Sequence, residues 1–420
     1  MKKLKRATLF VIKSLVVLIA LGFLITGILS YKYGREIETR LASIKAAGQP
    51  VSLADLASVK VPESQNAAPL YQELFRVLRT PACVKVSSSA ASHEPGSAEW
   101  DQAVLALRKT VIPLIKAAAA KPICRFPDAK ARLDRKSADE DFGRLAGLRH
   151  SARILGMEAV YSAKRRDWTR AVDSSVLSLK VIDQQQYPVF MLEGMTFTAM
   201  KALTLHYLSK ALDQSGIDNK NLVRLDKALA ALEWRDDFKR AMINERAYEL
   251  SMIDSFGLLA SWKKAEQLAI LKNLDEVLRL ADQPMPRLLT MVHSDSTDDA
   301  QKWTPLSSMI LPVLKRSLSA HFRLEVQAIC CRAYLAVVKY KNDTGAYPAS
   351  LAAIESRYNC QLPNDPVTGR PLHYRLVKGK PIVYSVGADL KDNGGKRDQM
   401  GWDPNASGDI VWPIPARESR

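Results

Sequence analysis

The first strong pattern in the chain is an uncharged apolar run at residues 14–31, which follows a basic stub. With the apolar shoulder at residues 9–12, the run reaches the ~20 residues that cross a bilayer, and Lys13 can extend its amine to the headgroups. The pattern therefore predicts a transmembrane anchor at residues 14–31 behind a cytoplasmic stub at residues 1–13.

A cleaved signal peptide is the alternative interpretation of this run. Cleavage requires small residues at the exit, and residues 25–32 offer only poor sites. We therefore favour an uncleaved anchor, and the basic stub places the N-terminus in the cytoplasm by the positive-inside rule. No later run reaches spanning length, so the sequence predicts a single-pass protein.

Helical periodicity dominates the chain after the anchor. Apolar side chains recur at steps of three and four through residues 145–163, which is one stripe of a helix. Residues 80–97 are rich in Ser, Ala and Pro, and we predict a loop there. The pattern predicts a helical domain at residues 32–282, with further helices at 36–47, 67–78, 171–182, 189–212, 222–232, 241–254 and 263–280.

The C-terminal part of the chain changes from helical to strand periodicity. Prolines and an acidic cluster predict a linker at residues 283–304, and a long helix follows at residues 307–341, with Pro312 either bending it or delaying its start. Residues 305–420 are therefore predicted as a small α+β domain in a mainly α protein. Its antiparallel sheet is expected to contain strands at 372–377, 382–386 and 409–414.

The net charge of the chain indicates which kind of partner it favours. The chain carries a net charge of +17, which favours anionic lipid surfaces or other anionic envelope polymers as partners. No arginine–aromatic motif is present, so nucleic acid is not an expected partner.

Five cysteines are present. If they lie outside the inner membrane, disulfides are permitted between Cys83 and Cys124, and between Cys360 and either Cys330 or Cys331. Buried free thiols are the alternative.

The segment around residues 159–172 resembles a single tetratricopeptide hairpin, because Asp167 and Trp168 match the start of its second helix. Ala159 and Ser162 depart from the typical residues, and no second copy occurs at the ~34-residue period of such repeats. The resemblance therefore implies a helical hairpin within an irregular bundle.

The tail contains the segments DTGAYPASL at 343–351, LPNDPVTGRPLHYR at 362–375 and YSVGADLKDNGG at 384–395. It resembles the C-terminal domain of the major pseudopilin of type II secretion systems. The resemblance implies a small antiparallel sheet that ends in a calcium-binding loop. It also implies that this domain lies outside the inner membrane, with the bulk of the chain in the periplasm.

Calcium prefers six to eight oxygen ligands on a chain that bends tightly, and residues 387–409 supply Asp, Asn and Gly in number. The resemblance assigns Asp389 and Asp409 to the calcium loop, with less certain counterparts for the other acidic residues. A polar turn in which Asp and Asn cap the backbone is the alternative. The candidate ligands of a structural calcium ion are Asp389, Asp392, Asp398, Asp403 and Asp409.

Two departures from the pseudopilin pattern argue against polymerisation into a pseudopilus. Residues 7–13 lack the expected cleavage site and the Glu that follows it, and a long helical region separates the anchor from the tail. The remainder resembles membrane-anchored bacterial proteins of planctomycete type, through the segment NAAPLY at 66–71. That resemblance implies an architecture rather than an activity.

The sequence lacks the nucleophile elbow, phosphate loop, zinc-protease and dinucleotide motifs. Glu158 and Glu193 lie in apolar helical surroundings, where we expect ion pairs with Arg rather than acid–base catalysis. We expect a membrane-anchored, outward-facing binding or scaffold protein of the bacterial envelope, connected with secretion through its pseudopilin-like tail. The alternatives are an enzyme of unrecognised type with a site in the helical domain, and an atypical pilin-like subunit.

Overall fold

The computed structural model describes residues 2–56, 61–126, 135–185, 189–255, 257, 259–292, 304–397 and 408–414. The fold is mainly helical with a small antiparallel sheet, as the sequence predicts. The helices are α1 Lys2–Ala46, α2 Leu53–Leu56, α3 Ala68–Leu78, α4 Pro81–Ser92, α5 Ala98–Thr110, α6 Ile112–Ala119, α7 Arg135–Lys164, α8 Trp168–Asp183, α9 Met191–Leu212, α10 Asn219–Ala230, α11 Trp234–Ser255, α12 Ala260–Ala281, α13 Met285–Val292, α14 Pro305–Thr344 and α15 Leu351–Tyr358. The strands are β1 His373–Val377, β2 Lys380–Ser385 and β3 Ile410–Trp412.

Helix α1 is unbroken from the basic stub through the apolar run and into the folded domain. Its large apolar side chains between Leu15 and Leu29 are exposed, whereas Ile37 and Ile44 are buried against Leu271 of α12. The part of α1 from residue 13 onward is the one helix among the described residues with the length and composition of a membrane anchor or a signal sequence. The helix predicted at residues 36–47 is therefore the docked C-terminal end of α1.

Helices α7 and α8 form the predicted hairpin. The stripe of α7 is buried throughout, and Leu148 and Leu155 are fully enclosed. The turn places Arg166 at a positive φ of 60°, after which the Asp167 carboxylate accepts from the Arg170 N–H and caps α8. The chain thus reverses where the sequence predicts a break.

The prediction of a loop at residues 80–97 is wrong for most of that segment, because Pro81–Ser92 form helix α4. Thr80 caps the first turn by accepting from the Cys83 N–H, and Pro81 occupies the first helical position, where its missing N–H costs nothing. Cys83 and Ala90 are buried, so tertiary packing offsets the low helix propensity of the serines.

The C-terminal sheet has the order β1-β2-β3 with antiparallel pairing throughout. It packs against α14, which continues past Pro312 and ends at Gly345, a left-handed residue with φ of 84°. Helix α13 lies inside the predicted linker, and residues 293–303 of that linker lie outside the described residues. One buried apolar cluster runs from Ala67 to Trp412 and joins the helical part to the sheet.

The disulfides considered from the sequence are not formed. All five cysteines lie within the described residues as free thiols, and Cys360 is exposed whereas Cys330 and Cys331 are buried. The buried thiols pack as small apolar side chains.

Candidate functional site

The described part of the C-terminal loop gathers three of the five predicted calcium ligands around Asn393. The Asp389 carboxylate accepts from the Asn393 side-chain amide at 3.0 Å, and the Asp409 carboxylate accepts from the Asn393 backbone N–H at 3.2 Å. Asp392 accepts from the Gly394 N–H at 2.8 Å. Asp398 and Asp403 lie outside the described residues.

Asp409 is the most deeply buried of the three described carboxylates in this loop. Its side chain is fully buried, and burial raises its pKa although it accepts from the Asn393 and Gly395 N–H groups. Hydrogen bonding, first from Gly394, instead lowers the pKa of the more exposed Asp392. Within the described residues, no group of three His, Cys, Asp or Glu side chains is arranged to hold a metal ion.

The two glutamates predicted to pair with arginines do so. Glu158 on α7 is 2.7 Å from Arg108 on α5, and Glu193 on α9 is 2.8 Å from Arg144 on α7. Both carboxylates are buried, so the pairs offset the cost of removing their charges from water. The two pairs join α7 to α5 and to α9.

A cavity of about 600 Å³ lies where α8, α9, α11 and α14 meet. The Lys201 amine, almost fully buried at its wall, lies 2.6 Å from the Asp237 carboxylate and 4.7 Å from the centre of the Trp234 ring. Apolar surface comes from Phe197 and Phe238. A cavity of this size with mixed walls suits a small molecule.

His321 brings a neutral imidazole to the same cavity. Its Nε2–H donates to the Trp234 carbonyl, which leaves Nδ1 facing the Thr198 hydroxyl at 3.1 Å. Burial, and then the nearby Lys201, lowers the pKa of His321 to about 4. The imidazole is therefore an uncharged hydrogen-bonding group near pH 7 and a poor general base.

A buried carboxylate pair lies beside the cavity at the start of α9. Glu245 accepts from the Met191 N–H at 2.8 Å, and burial raises the pKa of both Glu245 and Glu249. Glu193, itself paired with Arg144, adds further negative charge. The pair therefore retains a proton at a higher pH than isolated glutamates do.

Sequence reasoning missed the cavity residues. Lys201 is the single charged residue in the stretch 194–205, and this was a signal for it, because an unpaired buried amine is costly. No comparable signal exists for His321, which is 123 positions from its partner Thr198.

A charged network joins α1 to the domain. The Arg40 guanidinium lies 2.8 Å from the Asp275 carboxylate on α12, and the Lys272 amine lies 3.2 Å from Glu36. The nearly fully buried Arg246 on α11 reaches the other oxygen of Asp275 at 3.4 Å. The network and the apolar contacts beside it hold the C-terminal part of α1, after the apolar run, against α11 and α12.

No protein-family model, curated protein or solved structure matches this chain. Its function is therefore argued from the residues themselves.

Proposed function

We propose that this protein is a single-pass, inner-membrane-anchored binding or scaffold protein of the bacterial envelope. Its N-terminus lies in the cytoplasm and the bulk of the chain in the periplasm. Envelope or secretion proteins are the proposed partners, and the net charge of +17 favours contact with anionic lipid.

The continuity of α1 carries this proposal. The exposed apolar part at residues 14–31 is about 27 Å long at ~1.5 Å per residue, which is close to the ~30 Å hydrocarbon core of a bilayer. The same helix is then buried on α12 from Ile37 onward. The helix continues without a break through residues 25–32, where the sequence offers only poor cleavage sites, so its continuity favours an anchor that stays attached and holds the domain at the membrane surface.

The pseudopilin-like tail remains part of the proposal. A long helix followed by a three-stranded antiparallel sheet is the arrangement that the resemblance implies, and the fully buried Asp409 favours a structural calcium ion in its loop. The ion would be held by the five carboxylates that the sequence predicts, Asp389, Asp392, Asp398, Asp403 and Asp409. It would neutralise crowded carboxylates and fix the loop on the sheet.

Two measurements test the anchoring and the binding role. Intact mass of the protein extracted from native membranes should show an N-terminus without cleavage after residue 31, and alkaline washing should leave the protein in the membrane fraction. Crosslinking followed by affinity purification should then recover envelope or secretion proteins. Recovery of a chain that begins after residue 31, or of lipid alone, would contradict the proposal.

A second candidate function is binding or conversion of a small molecule in the cavity. The specific observation is the convergence of Lys201, Asp237 and His321 at its wall. Native mass spectrometry should detect a small molecule that copurifies with the parent protein and is lost on Ala231→Trp, which fills the rim. Val223→Trp, at an exposed site on α10, is the matched control and should retain the molecule.

A further inference from the structure

The turn that leads into α12 exposes two large apolar side chains. Leu259 precedes the helix with 76% of its surface exposed, the largest fraction among the large apolar side chains that the structure describes. Trp262, in the first turn, is 41% exposed. Isolated exposed leucines are ordinary, but a leucine and a tryptophan on one helix start form a patch that requires an explanation.

The position of this turn is fixed relative to α1. The Lys264 amine donates to the Ser30 carbonyl at 3.3 Å, at the end of the apolar run. Farther along, Lys272 pairs with Glu36, and Asp275 pairs with Arg40. Because residue numbers rise together on both helices, α12 runs parallel to α1, and the chain before Lys264 leads back toward the apolar segment.

A simple length estimate gives the depth of the patch. Leu259 is five residues before Lys264, which corresponds to about 7 Å at ~1.5 Å per residue. Segments that lie in a membrane interface bury their apolar side chains by ~5–10 Å. Leu259 and Trp262 therefore lie at the level of the last turns of the apolar run, where the hydrocarbon meets the headgroups.

The chemistry around the patch suits that level. Tryptophan is enriched at membrane interfaces because its ring is apolar and its N–H is polar. Lys32 and Arg35 are exposed on α1 just beyond the apolar run, and Lys264 lies beside them. The Lys263 amine lies 3.9 Å from the Asp254 carboxylate, which offsets its charge, so the net positive charge at this level comes mainly from the other three.

We propose that the start of α12 is a second membrane contact, in which Leu259 and Trp262 enter the same leaflet that α1 leaves and the neighbouring basic residues contact anionic headgroups. This inference rests on the proposed anchoring by α1. The two contacts together fix the orientation of the helical domain on the bilayer, because a domain held at two points cannot rotate about the anchor.

Spin-label accessibility in the full-length protein tests the proposal. The background is Cys360→Ser, because Cys360 is the exposed cysteine. Single labels are placed at Leu259→Cys, at Leu18→Cys in the anchor, and at Val223→Cys, an exposed apolar site on α10. Each variant is reconstituted into vesicles of phosphatidylcholine with phosphatidylglycerol. Collisions with oxygen, which partitions into lipid, are compared with collisions with a water-soluble nickel chelate.

We expect the oxygen-to-nickel ratio at positions 18 and 259 to exceed that at position 223 severalfold. In vesicles of phosphatidylcholine alone, the ratio at 259 should fall while that at 18 is unchanged. A ratio at 259 equal to that at 223, with position 18 in lipid, overturns the second contact and leaves the anchor intact. A water-exposed label at position 18 overturns the anchoring and the inference together. Circular dichroism must show parental helix content for each variant.

Discussion

Arg40 on α1 and Asp275 on α12 form an ion pair at 2.8 Å, which connects the N-terminal helix to the folded domain. The same carboxylate is the anionic partner of Arg246, whose pKa burial lowers. Asp275 therefore compensates two cations, one of them almost without access to water. This carboxylate is the electrostatic centre of the contact between α1 and the domain.

Replacement of Asp275 by Asn should destabilise the protein by about 2 kcal/mol. Loss of a buried ion-pair partner costs ~3–5 kcal/mol, and the partial exposure of Asp275 reduces that cost through screening. Chemical denaturation of the detergent-solubilised protein, followed by circular dichroism, measures the change. Glu276→Gln, which removes an exposed pair with Arg279 on the same helix, is the control and should cost less than about 0.5 kcal/mol. Equal effects of the two variants would argue against the central role of Asp275.

Alanine substitutions at two glycines of α7 should change the stability of the protein in opposite directions. A Cβ at Gly156 would lie 2.2 Å from the Tyr207 ring and 2.8 Å from its Cβ, so α9 must move. Overpacking costs ~1–3 kcal/mol, against a helix-propensity gain of ~1 kcal/mol, and we expect a net loss of about 1–2 kcal/mol for Gly156→Ala. Thermal unfolding of the purified protein measures it.

Gly143→Ala is the matched substitution on the same helix. Its Cβ would meet only the end of the Arg79 side chain, which is exposed and can move away. The propensity gain then dominates, and stability should rise by up to about 1 kcal/mol. Destabilisation by both alanines would show that the close approach of α7 and α9 at Gly156 is not the cause.

Glu245→Gln should make the protein more stable at pH 8. Burial raises the folded-state pKa of Glu245 above its unfolded value near 4.5, so the folded state holds the proton more tightly. The stability contributed by the protonated Glu245 carboxyl is therefore fully present below the unfolded-state pKa and is lost as the pH rises toward the folded-state pKa. Glutamine keeps an acceptor for the Met191 N–H and cannot ionise, so the gain at pH 8 should be on the order of 1 kcal/mol.

Melting temperatures of the parent and of Glu245→Gln across pH 4–8 test whether the substitution stabilises the protein at high pH. The charges facing Glu245 are Glu249 and Glu193, the latter paired with Arg144, and all three remain in the variant. Glu233→Gln, an exposed position just before α11, should leave the pH dependence unchanged. A Glu245→Gln protein less stable than the parent at pH 8 would mean that the ionised carboxylate is favourable there.

Hydrophobic periodicity predicted the helices, turns and strands that are determined by local sequence. The stripe at residues 145–163, the break at Asp167 and the three strands follow from side-chain spacing and turn residues, and the structure confirms each of them. Helix α4 was missed because its serines have low helix propensity, and the burial of Cys83 and Ala90 that stabilises it is not visible in the local sequence.

The cavity is a product of tertiary packing. Lys201 and Thr198 lie on α9, whereas His321 comes from α14, far along the chain. No spacing rule links those positions, because each looks like an ordinary helical residue within its own segment. The buried pairs of Glu158 and Glu193 were predictable only as a type, since their arginine partners also come from other helices.

Calcium should raise the melting temperature of the full-length protein if the tail binds the ion. Asp409 is fully buried with a raised pKa, so a bound cation would stabilise its ionised form. At 100 times the dissociation constant, binding to the folded state alone adds ~2.7 kcal/mol. Differential scanning calorimetry with calcium or with chelator measures the shift. Asp409→Asn should abolish it, whereas Asp213→Asn, an exposed position at the end of α9, should preserve it. An unchanged melting temperature of the parent protein would remove calcium from the proposed function and leave the loop as a turn in which Asp389, Asp392 and Asp409 cap backbone N–H groups.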